Sequence, residues 1–122
     1  MIFIDSHTHL YLNEFDNDRQ TVVNRAIADG IKYMMLPAID KSTFSSMIQL
    51  TEDFPQNCFP MIGLHPTSVE ENYKEELAFV ENELQNNKYV AVGEIGIDLY
   101  WDKTYAEQQK FAFRKQLNLA KE

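Results

Sequence analysis

Ile2-Phe3-Ile4-Asp5-Ser6-His7-Thr8-His9 decides how the rest of the chain is read. The first three residues are apolar and read as a short buried strand, with the polar run after them at the strand's C-terminal mouth. His7 and His9 stand two apart. On extended backbone, where successive side chains alternate faces, that spacing sets both imidazoles on one side. Two neutral imidazoles on one face can grip a divalent ion. Asp5 shares their parity. It reads equally as an acceptor that fixes a histidine tautomer and as an ordinary strand-end residue.

Working outward, two later stretches each follow a strand-like run: Gly63-Leu64-His65-Pro66 and Gly93-Glu94-Ile95-Gly96-Ile97-Asp98. Between them the pattern alternates. Val22, Val23, Ala26 and Ile27 recur on a helical face that opens near Asp16 or Asn17 and stops at Gly30. Ile31 to Leu36 reads as a second strand, ended by Pro37. A helix capped by Asp40 or Ser42 follows, with Phe44, Met47 or Ile48, and Thr51 on its inner face. Cys58 to Gly63 reads as the third strand. Val69, Tyr73, Leu77, Val80 and Leu84 mark an amphipathic helix whose other face is acidic. Tyr89 to Val92 has the continuous apolar character of a strand buried on both faces. A last helix, capped by Thr104 with Glu107 as the capping-box acid, carries Phe111, Phe113, Leu117 and Ala120. Strand and helix alternate four times, at roughly 30 residues per unit. Such a repeat predicts a parallel sheet, whose strand ends bring the three stretches to one place.

Composition sets limits. The chain has 122 residues, 44% hydrophobic and 25% charged, as expected for one soluble domain. Its net charge of −8 gives no overall attraction for a phosphate backbone, so nucleic-acid chemistry would require bound metal or a local basic patch. Cys58 is the only cysteine, which rules out an intrachain disulfide, and it reads as a small buried hydrophobe. The N-terminus has neither the basic flank nor the apolar length of a signal peptide, and no stretch is long enough to span a membrane. A cytoplasmic protein is expected.

In order and spacing, four pieces resemble the TatD-type deoxyribonucleases, a family of metal-dependent hydrolases: Ile4-Asp5-Ser6-His7-Thr8-His9-Leu10, Ile62-Gly63-Leu64-His65-Pro66, Ala91-Val92-Gly93-Glu94-Ile95-Gly96-Ile97-Asp98, and the helix around Gln108-Gln109-Lys110-Phe111-Ala112-Phe113. The resemblance implies a TIM-type (β/α)8 barrel of about 250 residues, of which residues 1–122 form the N-terminal four-unit half. It also implies two divalent ions (Mg, Mn or Zn) in a complete site. His7 and His9 would hold one, and Glu94 would bridge both and serve catalysis. The family's remaining histidine and aspartate ligands have no candidates here, because the only other histidine is His65. This chain alone is therefore expected to hold at most one ion, weakly. By the same resemblance His65 lies at the site rim, where it could contact substrate phosphate. From the residues themselves, Asp98 reads as a substrate or supporting residue or as a cap of its own loop, and Tyr100 and Trp101 either stack on a base or cover the barrel end.

The activity so implied is metal-dependent hydrolysis of phosphodiester bonds, with DNA as substrate. Two alternatives remain at this point. The same barrel and ligand layout supports amide or ester hydrolysis of a small molecule. A half-barrel could also be catalytically inactive and self-associate through its open sheet edges.

Overall fold

The computed structural model describes residues 1–122. Strands β1 (Phe3–Asp5), β2 (Ile31–Leu36) and β3 (Cys58–Pro60) form a parallel sheet in the order β1-β2-β3. Helices α1 (Arg19–Ala28), α2 (Lys41–Asp53), α3 (Tyr73–Asn86) and α4 (Ala106–Leu119) complete the chain. Register runs Ile4 opposite Tyr33 and Met35 opposite Phe59. On β2 and β3, Met34, Leu36 and Cys58 are buried in the core cluster with Val23 of α1, Met47 and Leu50 of α2, and Leu77 and Val80 of α3. Tyr33 and Phe59 are only half-buried and meet edge to face at 5.7 Å. Burial pushes the Cys58 thiol up to about 11, so it packs as a hydrophobe.

The expected fourth strand is reduced to a single bridge, Ile62 to Val92. Its run still lies along β3: Val90 N–H donates to Pro60 O, Ile62 N–H to Ala91 O, and Gly93 N–H to Ile62 O. At Gly93 the chain leaves that ladder and bonds Ala38 instead. Ala38 N–H donates to Gly93 O and Glu94 N–H to Ala38 O, at 2.9 and 3.0 Å. The sheet therefore has three strands where four units were expected. The two outer runs are also not buried. Ile4 is 58% and Val90 50% exposed, because they form the open edges of the sheet.

Local chemistry accounts for the other differences. Asp40, rather than Ser42, caps α2: its Oδ1 accepts from Thr43 N–H at 3.1 Å, an arrangement worth about 1 kcal/mol. Its Oδ2 accepts from Ser68 Oγ, tying α2 to the loop beyond His65. Burial pushes this carboxyl up, but hydrogen bonds from Ser42, Thr43 and Ser68 outweigh it and hold the group low. On α2, Leu50 is buried where Thr51 was expected, and the Thr51 hydroxyl turns back to Met47 O. Helix α3 begins at Tyr73, because Pro66–Ser68 form a 3-10 turn first; Val69 is buried as its period suggested, but from a loop. Thr104 does not cap α4, since its hydroxyl donates to Asp102, and Glu107 pairs with Lys110. The inward residues of α4 are Gln109, Ala112 and Gln116, while Phe111, Leu117 and Ala120 are exposed.

Two glycines are required by geometry. Gly30 has φ of 97°, a left-handed stop after α1. A Cβ on Gly63 would lie 2.8 Å from the Gly93 carbonyl carbon, so only glycine lets the ends of the third and fourth runs approach.

Candidate metal centre

One short segment organises the sheet's C-terminal mouth. Successive groups at the end of β2 accept from every segment that carries a candidate ligand: Met35 O from Thr8 N–H, Pro37 O from the Tyr11 hydroxyl, Ala38 O from Glu94 N–H, and Ile39 O from His65 N–H. Backbone bonds to one five-residue stretch thus set the relative positions of His7, His9, His65 and Glu94.

Their side chains converge. Glu94 Oε2 lies 2.9 Å from His7 Nε2 and 3.2 Å from His9 Nε2, and the two imidazole nitrogens are 3.2 Å apart. Glu94 Oε1 lies 3.2 Å from His65 Nε2. The hydrogen-bond network assigns the tautomers. The Tyr11 hydroxyl donates to Pro37 O at 2.6 Å, so its oxygen accepts from His9 Nδ1–H at 3.0 Å. His9 Nε2 then presents a lone pair to Glu94. His65 Nδ1 accepts from the Thr67 backbone N–H, so neutral His65 carries its proton on Nε2 and donates it to Glu94 Oε1. One carboxylate oxygen is thereby held by a donor, and the other faces imidazole nitrogen.

The donor set fits a divalent ion. At neutral pH a carboxylate oxygen and a bare imidazole nitrogen 3.2 Å apart repel unless a cation or proton lies between them. Burial pushes the His9 imidazole below its ordinary value, against the pull of Glu94, which disfavours the proton. His7, His9 and Glu94 offer three ligand atoms, all within 4.8 Å of one another. Two imidazoles and one carboxylate suit a borderline ion such as zinc, or manganese through its carboxylate ligand, better than the oxygen-seeking magnesium.

Asp5 accepts from the His7 backbone N–H at 3.1 Å, so it shapes the loop and touches neither ring. Asp98 stands outside the cluster, with its backbone held at both ends by the Gln109 amide and its Oδ1 accepting from Tyr100 N–H. Sequence reading missed Tyr11, although it continues the two-residue spacing of His7 and His9. It also missed Gln116, whose amide accepts from Leu64 N–H at 2.7 Å and donates to Leu64 O, next to His65. Removing the hydroxyl in Tyr11→Phe frees His9 to turn or to change tautomer. Calorimetric Mn2+ affinity is expected to fall by roughly tenfold with an unchanged circular dichroism spectrum; unchanged affinity would show that the tautomer is set elsewhere.

The parallel β/α sheet, the His-x-His pair at one strand end and the glutamate beyond the last run agree with the layout that the resemblance to the TatD-type hydrolases implied. Comparison with known proteins makes the assignment closer. The model of the family described as TatD related DNase matches residues 4–122, and the chain belongs to that family. A Bacillus subtilis protein described as an uncharacterized metal-dependent hydrolase, YabD, is 34% identical over 122 residues, which are 100% of this chain and 47% of that one. An Erwinia tasmaniensis protein described as the 3'-5' ssDNA/RNA exonuclease TatD is 30% identical over 118 residues, 97% of this chain and 46% of that one. The crystal structure of the Escherichia coli TatD homologue YjjV superposes with a TM-score of 0.87 at 33% identity, covering 98% of this chain and 46% of that one. The chain thus spans about half the length of the relatives it matches, and its sheet and helices correspond to about half of a TatD barrel. No helix is long and apolar enough to cross a membrane.

Proposed function

We propose that residues 1–122 are the N-terminal four-unit portion of a single hydrolase domain, and that they supply one half of a divalent-metal site for cleaving phosphodiester bonds at the ends of DNA. The observation that carries this reading is the convergence of His7 Nε2, His9 Nε2 and Glu94 Oε2 on one point. An ion held there would polarise the phosphate and lower the pKa of a bound water. Tyr11 keeps the His9 lone pair directed at that point. His65 holds Glu94 by Oε1; its one N–H is engaged there rather than offered to phosphate. The ligands of a second ion, and whatever covers the open edges at Ile4 and Val90, come from outside these residues. Further β/α units or a second copy would serve. The relatives described as ssDNA/RNA exonucleases support strand ends as substrate, and the acidic surface supports weak, metal-dependent engagement over tight duplex binding.

Manganese calorimetry on the 122-residue chain, followed by cleavage of a labelled single-stranded oligonucleotide with and without chelator, tests this. One weakly held ion per chain, little cleavage alone and chelator-sensitive cleavage once the remaining units are present are expected. Chelator-resistant hydrolysis, or hydrolysis of a p-nitrophenyl ester with the oligonucleotide untouched, would overturn it. Ion affinity should fall on acidification as the imidazoles protonate. Because burial lowers the His9 value, His9 stays neutral and ligand-competent below the ordinary 6.5, so the loss is completed at a lower pH than for an exposed histidine.

A further inference from the structure

Beside the metal centre, between the loop after β3 and the loop after Glu94, lies a cleft of about 160 Å³. Its walls include Thr67, Glu70, Asp98, Trp101, Asp102 and Tyr105. Trp101 is 84% exposed and stands edge to face with the equally open Tyr100 at 4.7 Å. Within residues 1–122 both rings stand open at the rim of the cleft, where they offer flat surfaces to a planar ligand. Thr67 belongs to both places: it borders the cleft, and its hydroxyl lies 2.7 Å from His65 Nδ1, whose Nε2–H reaches Glu94.

The chemistry of the walls selects the ligand. The cleft lining carries three carboxylates and no cationic side chain. A phosphate is repelled there, whereas a neutral ring bearing N–H donors is welcome. Asp98 and Asp102 each spend Oδ1 on their own loop, on Tyr100 N–H and on Thr104 respectively, which fixes the carboxylates and leaves Oδ2 for a ligand. A cavity of about 150 Å³ takes one six-membered aromatic ring, so the size suits a single-ring base.

We infer that this cleft is the subsite for a single-ring nucleobase at a strand end, stacked on Trp101 with its exocyclic amine toward the Asp98 and Asp102 carboxylates, which favours cytosine over thymine. Aspartate is a natural acceptor for the cytosine amine, and the thymine carbonyl at the same ring position faces it unfavourably. The acidic rim would also favour a chain end over a continuous strand, because further phosphates would have to pass the carboxylates. This inference rests on the nucleic-acid reading of the neighbouring site.

Trp101 is the only tryptophan, so its fluorescence reports the subsite alone. The protein is titrated with deoxycytidine, thymidine and 2-deoxyribose in the presence of chelator. Saturable quenching by deoxycytidine, about tenfold tighter than by thymidine and absent with the sugar, is expected. The double change Asp98→Asn with Asp102→Asn should level the two nucleosides while leaving quenching itself intact. Equal quenching by both nucleosides in the unaltered protein, or none, would overturn the inference. Since chelator removes the metal chemistry, the two readings fail separately. Quenching with no metal-dependent cleavage even once the remaining units are present would sink the phosphodiesterase reading; cleavage by that assembly without base-dependent quenching would sink the subsite.

Discussion

Glu94→Gln is expected to reduce Mn2+ affinity by a hundredfold or more while leaving the melting temperature within about 2 °C. The reasons are local. Glu94 is the only carboxylate facing both His7 and His9, at 2.9 and 3.2 Å. An amide oxygen of the same shape is neutral and a weak ligand for a divalent ion, and losing even a supporting residue of a metal site typically costs ten- to a hundredfold. The fold is spared because the Glu94 backbone, not its side chain, makes the bond to Ala38, and glutamine still offers His65 an acceptor. Calorimetry and a thermal melt on one preparation check both halves. If affinity persists, the ion is held elsewhere; if the melt collapses, Glu94 is structural and the cluster is an apo hydrogen-bond network.

Gln116→Leu carries the largest expected stability loss. The leucine matches the volume but leaves Leu64 N–H and Leu64 O, now bonded at 2.7 and 3.3 Å, without partners in a buried position. An unpaired buried polar group costs about 1–3 kcal/mol, so the pair costs roughly 2–6 kcal/mol. Against a typical total of about 5–15 kcal/mol, that is a large share. A fall in melting temperature of roughly 10 °C is expected. Because Leu64 precedes His65, Mn2+ affinity should fall with it. Phe111→Ala on the same helix serves as the contrast: its ring is exposed, so its removal should cost far less despite the larger apolar side chain. A small effect from Gln116→Leu, or a larger one from Phe111→Ala, would refute this account of the helix.

Those two helix positions show where the sequence was legible and where it was not. The His7-x-His9 spacing and the glutamate after the last apolar run stood out because a ligand pattern is local, a matter of parity and of a carboxylate in an apolar setting. The parallel order of the first three strands was legible for the same reason, through the alternation of strand and helix patterns. What was not legible depended on partners far along the chain. Periodicity assigns Phe111 and Leu117 to the inside of α4, because it scores hydrophobicity; the structure places Gln109 and Gln116 there, because the loops at Asp98 and Leu64 offer backbone groups that must be bonded. Likewise Ile4 and Val90 read as buried strand residues, yet a strand's exposure depends on whether another strand lies beyond it. Tyr11 was readable in retrospect as the third member of an alternating series. The hub at Met35 to Ile39 carried no signal at all, because it acts through carbonyl groups that every residue has.

That hub and its distant partners have a consequence for how the site comes into being during synthesis. The histidines leave the ribosome first, and His9 can find its tautomer as soon as Tyr11 and Pro37 follow. Glu94 and then Gln116 emerge much later, at about 5–20 residues per second, so for several seconds the imidazole pair exists without its carboxylate. A nascent chain in that interval presents the imidazoles without the Glu94 carboxylate that completes the three-ligand set. Assembly of the His7, His9 and Glu94 set therefore waits on the later part of the chain, and the helix that steadies the loop at Leu64 follows it.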